Sequence, residues 1–417
     1  MLTPSQLVGV LLVPAFVLVF VTWAGASVYL LITGVRNGQR ALALGRARRA
    51  FAAITVADRH DEELRTAVVS LMATLADDVV LPLASGTTHR ASLDRIVAEA
   101  AVARIGRPAL EALAGERLPP KDNWRRIAAM RVLAAGSAAA PLVPILTRAL
   151  DDDPEIVGAS LAVLGRLDDR AAGLALIGAL KDRKYSPSRI ATYLDQSPAS
   201  IADALVPLLH HPDAQVRYWG ATLVSRHRMP GSERDVALLT KDPSPLVRKA
   251  AVATLAELDG AGAVPAVQRL LADPIWYVRA HAARALAAAN ATDTADQIAP
   301  LLADREWWVR LAARESLQQM GEEVWSVLVP YLDHADAFAR NGAAEVLQNI
   351  GVLDSLIVLE AATSRPSASK VEMLRKIAAA GGTRMTEALL ERVDEGVRPR
   401  VRTLLTSLGL EPTQVRS

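Results

Sequence analysis

Three stretches near the middle of the chain decide its fold: Lys241–Leu258, KDPSPLVRKAAVATLAEL; Ala272–Ala289, ADPIWYVRAHAARALAAA; and Ala303–Met320, ADREWWVRLAARESLQQM. They align without gaps, as does the looser His210–His227, HHPDAQVRYWGATLVSRH. Their arginines, Arg217, Arg248, Arg279 and Arg310, recur every 31 residues, and Arg340 follows after 30 in DHADAFARNGAAEVLQNI. A small apolar residue precedes each arginine (Val216, Val247, Val278, Val309, Ala339). A small residue follows three positions later (Gly220, Ala251, Ala282, Ala313, Ala343), and an aliphatic one seven later (Val224, Leu255, Leu286, Leu317, Leu347). Offsets of −1, +3 and +7 fall on one stripe of an α-helix, so this is the buried stripe, and the small residue in its middle admits a neighbouring helix closely.

The register extends outward. Steps of 30 or 31 back from Arg217 reach Pro187, Val157, Arg126, Arg95 and Arg65, with Leu194, Leu164, Leu133, Val102 and Met72 at +7. Forward, Lys370 has Ile377 at +7, and Arg398 has Leu405. The arginine is lost at several of these positions while the apolar stripe survives. Between the periodic helices lie second apolar segments, each short enough for one helix, such as IADALVPLL from Ile201, AVPAVQRLL from Ala263 and VWSVLVPYL from Val324. Each unit therefore reads as helix A, a tight turn with Asp and often Pro, then helix B, the Asp being expected to N-cap helix B. The fold expected is all-α, an α-solenoid of about a dozen HEAT-like helix pairs preceded by one transmembrane helix.

Composition agrees. Hydrophobic residues make up 51% of the 417 but aromatics only 4%, so the apolar mass is mainly Ala, Leu and Val, which suits closely packed helices. Cysteine is absent, which excludes disulfides and Cys-ligated metal. A formal charge of +2 gives no support to a nucleic-acid partner. The Ala- and Arg-rich usage suggests a bacterial source with a GC-rich genome.

No charged side chain occurs from Met1 to Val35, and Leu7–Ile32 reads LVGVLLVPAFVLVFVTWAGASVYLLI. Roughly 20 apolar residues suffice to cross the hydrocarbon core of a bilayer. Arg36, Arg40, Arg46, Arg48 and Arg49 follow, with the first acid at Asp58. Basic residues flanking a span favour the cytoplasmic side, so the N-terminus is expected outside and the rest in the cytoplasm, at the plasma membrane. The arginines also offer contact with anionic headgroups. A cleaved signal peptide is the competing reading, disfavoured by an uncharged n-region and a long apolar core. The expected division is 1–35 transmembrane helix, 36–58 basic juxtamembrane helical linker, 59–410 repeat solenoid and 411–417 tail.

The pattern Asp-Pro-x-x-x-Val-Arg-x-x-Ala-x-x-x-Leu resembles the short HEAT-like repeat of the phycobilisome-lyase type. It is carried by Asp242-Pro243 with Val247-Arg248 and by Asp273-Pro274 with Val278-Arg279, while Asp304 with Val309-Arg310 has Arg305 in place of Pro. The resemblance implies that the turn Asp and the helix-B Arg form a ladder between neighbouring repeats. Asp242, Asp273, Asp304, Arg248, Arg279 and Arg310 are then structural. It also implies a generic interaction scaffold, since the repeat only sometimes carries enzymes.

The aromatic pairs Trp276-Tyr277 and Trp307-Trp308 stand three and two residues before a repeat arginine, with Tyr218-Trp219 in a nearby unit. They either fill gaps between helix ends or form a ridge that grips a partner, since Trp and Tyr dominate such sites. The histidines lack His-x-x-x-His or His-Glu-x-x-His spacing, and no nucleotide-binding glycine loop or nucleophile-elbow motif occurs. No catalytic residue, metal or cofactor is therefore assigned. The expected function is a non-enzymatic, membrane-anchored scaffold or accessory subunit docking on a protein. That partner is expected to be an integral membrane protein such as a membrane-embedded glycosyltransferase or polysaccharide synthase. The rival is a groove-based enzyme of the bilin-lyase-like kind, or a lipid-handling protein. A cluster of ionisable residues exposed on helix B would favour the rival, and the sequence offers only scattered candidates there, such as Arg284, Arg314 and Glu315.

Overall fold

A computed structural model describes the chain from residue 4 to residue 407, except 57–60, 87–90, 137–140, 184, 199, 259–261, 353–366, 382–389 and 391–392. In the first helix, side chains are described from Val21 onward. The expected 411–417 tail lies outside the described residues. Every regular element among the described residues is helical. They group into two compact units, Met1–Ser200 and Ile201–Ser417.

The first unit contains α1 (Pro4–Val56), α2 (Asp61–Ala73), α3 (Asp77–Ala84), α4 (Ala91–Ile105), α5 (Arg107–Gly115), α6 (Asn123–Ala135), α7 (Val143–Arg148), α8 (Pro154–Leu164), α9 (Arg170–Asp182) and α10 (Pro187–Gln196). Alternate helices pack in series, α2 on α4, α4 on α6, α6 on α8 and α8 on α10, as stacking of a repeated pair requires. The +7 column, Met72, Leu133, Leu164 and Leu194, is buried in these helices.

Helix α1 is continuous over 53 residues. Its C-terminal half packs on α2 and α3. There Arg40 donates from Nε to the Asp78 carbonyl at 3.3 Å and lays its guanidinium 4.5 Å from the centre of the Trp124 ring. Arg40 is thus half-buried and fastens α1 to the array, while Arg36, Arg46, Arg48 and Arg49 are exposed. Among the described residues no helix is long and apolar enough to cross a membrane. The span expected over 1–35 falls largely on 1–20, whose side chains lie outside the described residues.

The second unit contains α11 (Ala202–Leu205), α12 (Ala214–Arg226), α13 (Glu233–Leu238), α14 (Pro245–Leu258), α15 (Val264–Gln268), α16 (Trp276–Ala288), α17 (Ala295–Ile298), α18 (Trp307–Met320), α19 (Trp325–Leu328), α20 (Ala337–Asn349), α21 (Ala368–Gly381) and α22 (Arg398–Ser407). The even-numbered helices from α12 to α20 are the expected B helices, each against the next. Val216, Val247, Val278, Val309 and Ala339 are buried, as are the small +3 residues and the +7 aliphatics. Gly220 shows why the +3 position is small: a Cβ there would lie 2.7 Å from Leu208 Cβ.

The A helices correct the sequence reading. Each is not one α-helix but a short α segment that tightens into a 3₁₀ turn. The change falls at Val206 before Pro207, at Ala299 before Pro300 and at Val329 before Pro330. Proline offers no N–H to the carbonyl four residues back, so the α ladder cannot continue and a shorter-period turn takes over.

Candidate protein-interaction surface

Asp213 and Asp336 cap the B helices α12 and α20 as expected, but the turn aspartates Asp242, Asp273 and Asp304 are not N-caps. Each lies in extended backbone two residues before the cap position and accepts a hydrogen bond from the backbone N–H two residues on. These bonds run from Ser244 to Asp242 at 2.8 Å, Ile275 to Asp273 at 2.9 Å and Glu306 to Asp304 at 2.9 Å. This local turn aims the carboxylate at the preceding repeat, where an arginine meets it with two parallel bonds. Arg217 Nε donates to Asp242 Oδ2 at 2.6 Å and Nη2 to Oδ1 at 2.9 Å. Arg248 engages Asp273 at 2.7 and 2.9 Å, and Arg279 engages Asp304 at 2.8 and 2.8 Å. Nη1 of each arginine turns back to two carbonyls of its own turn, as Arg217 does to His211 and Pro212. With Nε and both terminal nitrogens engaged, these three guanidiniums have little left to offer a ligand.

The electrostatics match. The carboxylate of Asp273 holds the Arg248 guanidinium above its ordinary range, as Asp242 does for Arg217. Burial pushes Asp304 up, but the bonds from Arg279 and the Glu306 N–H outweigh it and leave the carboxyl below its usual value. The first unit holds one comparable rung, Arg126 to Asp152 at 2.7 Å, with Arg126 Nε donating to the Ala114 carbonyl at 2.8 Å.

The ladder stops at Arg310. Its partner position holds His334, whose Nδ1 accepts from the Asp336 N–H at 3.0 Å and so reproduces the turn. Imidazole offers no bidentate acceptor, and the Arg310 guanidinium lies 4.3 Å from the centre of the Phe338 ring instead. At the other end His211 makes the same turn to the Asp213 N–H at 3.1 Å.

The aromatic pairs are resolved by exposure. Within each pair the rings meet edge to face, at 5.5 Å for Trp276–Tyr277, 4.6 Å for Trp307–Trp308 and 5.0 Å for Tyr218–Trp219. Among the described residues no ring of one pair stacks on another, so the expected stacking between units is absent. Tyr218, Trp219 and Tyr277 are half-buried. Trp276, Trp307 and Trp308 are 39%, 50% and 53% exposed. Two members of the same row were missed in the sequence. Leu246 and Phe338, each two residues before a repeat arginine, are 54% and 61% exposed. Their column was legible, since Tyr277 and Trp308 share it. At about 200 Å² per ring, four rings exposed by about half present roughly 400 Å² of apolar surface. That is the size of the largest patch on an ordinary monomer and is often functional.

A second row of links runs between the B helices. Arg284 meets Glu315 at 2.9 Å, Arg314 meets Glu345, and Asn349 donates to Gln318 at 3.1 Å. Arg284, Arg314 and Glu315, the groups that would have favoured a groove enzyme, are thus paired with one another's repeats. His281 is held neutral-leaning by burial, its ring nitrogen 2.8 Å from the Tyr277 carbonyl. Among the described residues no group of three or more His, Asp or Glu is placed to hold a metal ion.

The HEAT repeats family matches at residues 202–287, 236–318 and 265–348. No curated protein matches the chain. Solved structures with similar helical arrays include YibA of Escherichia coli, 16% identical over 68% of this chain and 94% of that one, TM-score 0.32. A Kap121p mutant is 12% identical over 87% of this chain and 51% of that one, TM-score 0.46. Importin beta is 15% identical over 86% and 53%, TM-score 0.38. The chain spans about half the length of these last two. Residues 202–348, with their stacked helix pairs and the Arg–Asp rungs that join them, are the part of the chain that matches the HEAT repeats family.

Proposed function

We propose that this chain is a non-enzymatic scaffold that binds a protein partner through the aromatic row Leu246, Trp276, Trp307, Trp308 and Phe338. The observation that carries this reading is the exposure of four large rings at the N-terminal ends of consecutive B helices. Rigid aromatic side chains on packed helices lose little entropy on binding, which is why they dominate interface energetics. The ladder leaves the three tryptophans free, because the helices are held by Arg–Asp bonds and buried Ala, Val and Leu instead, while Phe338 packs under the Arg310 guanidinium.

The scaffold is tethered to the plasma membrane by its N-terminal helix, with the repeats on the cytoplasmic side. Support comes from the uncharged sequence of 1–35, and from Val21, Trp23, Val28, Tyr29, Leu30, Leu31 and Val35, each more than half exposed on α1. Apolar side chains exposed all round one helix have no protein cover and are suited to lipid. An integral membrane protein is then the fitting partner, with a glycosyltransferase or polysaccharide synthase as the first to try.

Affinity purification from detergent, read by quantitative mass spectrometry, tests both parts. Trp276→Ala with Trp307→Ala should lower the yield of a stoichiometric partner at least tenfold while the helical circular dichroism signal is kept. Equal yield from the substituted chain would remove the row from consideration. Removal of residues 1–35 should release the chain from the membrane fraction; continued sedimentation with membranes refutes the tether.

A further inference from the structure

We propose that a cavity in the first unit, lined by Arg95, Arg131 and Arg166, binds a phosphomonoester group. The cavity has a volume of about 230 Å³ and is bordered by Ser85, Gly86 and Asp94 besides the three arginines. Arg95 comes from the first turn of α4, Arg131 from the last turns of α6, and Arg166 from just beyond α8.

Several other arginines of the array are answered by an acid. In the first unit, Arg65 meets Glu99 at 3.1 Å, Arg104 meets Asp77 at 3.0 Å and Arg107 meets Glu111 at 2.7 Å. The side chains of Arg95, Arg131 and Arg166 make no hydrogen bond or ion pair with another described residue. Three like charges directed at one small space repel one another unless an anion lies between them. Among the described residues the only carboxylate at the cavity is Asp94, and it has a partner of its own.

Charge and size select the ligand. Three guanidiniums and one carboxylate leave +2, and a phosphomonoester carries about −1.5 to −2 at pH 7. Arginine forks match phosphate oxygens in pairs, so three forks can surround one group. The volume is below the about 300–1,000 Å³ of pockets for drug-sized ligands, so the cavity holds a headgroup and not a whole metabolite. Free phosphate and the headgroup of an anionic monoester lipid share this chemistry. The lipid source fits the surroundings, because α3, which ends in the cavity wall at Ala84, packs directly on α1.

Calorimetric titration of the full chain in detergent with inorganic phosphate at pH 7.5 tests the site. Saturable binding is expected, with Arg131→Gln weakening it at least tenfold and Arg95→Gln with Arg166→Gln abolishing it. All three side chains are exposed, so the melting temperature should be unchanged. Vesicles of phosphatidylcholine with and without phosphatidic acid separate the sources. Competition with phosphate only when phosphatidic acid is present assigns the site to lipid; phosphate binding without such competition assigns it to the free anion. Absence of saturable binding to either probe, or binding that the glutamine variants leave within twofold, overturns the proposal.

Discussion

His334→Asp should complete the ladder and stabilise the end of the repeat array. At the three existing rungs the aspartate backbone has φ and ψ of −59° and 140°, −60° and 139°, and −59° and 143°. His334 has −63° and 142°, so an aspartate there would aim its carboxylate as the others do. Arg310 already donates through Nη1 to the Asp304 and Arg305 carbonyls, as the paired arginines do in their own turns, which leaves Nε and Nη2 to receive the new acceptor. Two charge-assisted bonds contribute about 1.5–3 kcal/mol each. Most of that is offset by desolvating a carboxylate, which costs several kcal/mol. Loss of the parallel stacking of His334 on Tyr331 at 5.4 Å removes a further part, about 0.5–1.5 kcal/mol. A net gain of about 1 kcal/mol remains, on the evidence that burial at Asp304 is outweighed by the same bonds. Hydrogen exchange is the suitable assay, because a chain of two compact units need not unfold in one step. Amides of α20 should exchange about fivefold more slowly, given that 1.4 kcal/mol is tenfold. His334→Asn keeps the turn but not the charge and should gain less than half as much. Unchanged or faster α20 exchange in His334→Asp, or an equal gain when Arg310→Met is added, would refute the account of the rung.

Other consequences follow from packing and titration. Gly220→Ala places a methyl 2.7 Å from Leu208 Cβ and 3.2 Å from its carbonyl carbon, and should destabilise the second unit by about 1–3 kcal/mol in urea denaturation. Gly178→Ala, on a helix face with nothing within 4 Å, should instead stabilise the first unit by about 0.5–1 kcal/mol. Asp152 and Asp304 are both held below their ordinary value in the folded chain. Folding is therefore supported above the unfolded carboxylate pKa of about 3.9 and weakens as pH falls below it through the folded values. A circular dichroism titration should show no such loss between pH 7 and pH 5 from these rungs, and a steep one below about 4.

The repeat itself was legible because the interactions that define it are local to one helix. Residues at −1, +3 and +7 must be small or aliphatic wherever a helix is buried against its neighbours, so the column repeats in the sequence as the helix repeats in space. The aromatic row was half legible. Its column could be read, but only exposure separates Trp307 and Phe338 from the half-buried Tyr218 and Trp219. The A helices were misread because apolar content was taken as helix, while Pro207, Pro300 and Pro330 divide three of them into α and 3₁₀ parts and α13 and α15 make the same change at Leu239 and Arg269 without a proline.

The sequence by itself determined the period, the buried stripe and the uncharged N-terminal stretch, since each depends on what lies within a few residues along one chain segment. Tertiary structure alone decided which arginine meets which aspartate, that the ladder ends where His334 replaces an acceptor, and that Arg95, Arg131 and Arg166 share one cavity. Arg95 is a register position, but Arg131 and Arg166 follow at steps of 36 and 35 residues, outside the 30- to 31-residue register. Periodicity records contacts that every repeat makes, whereas a site made once, by packing particular helix ends together, leaves no repeating signal to find.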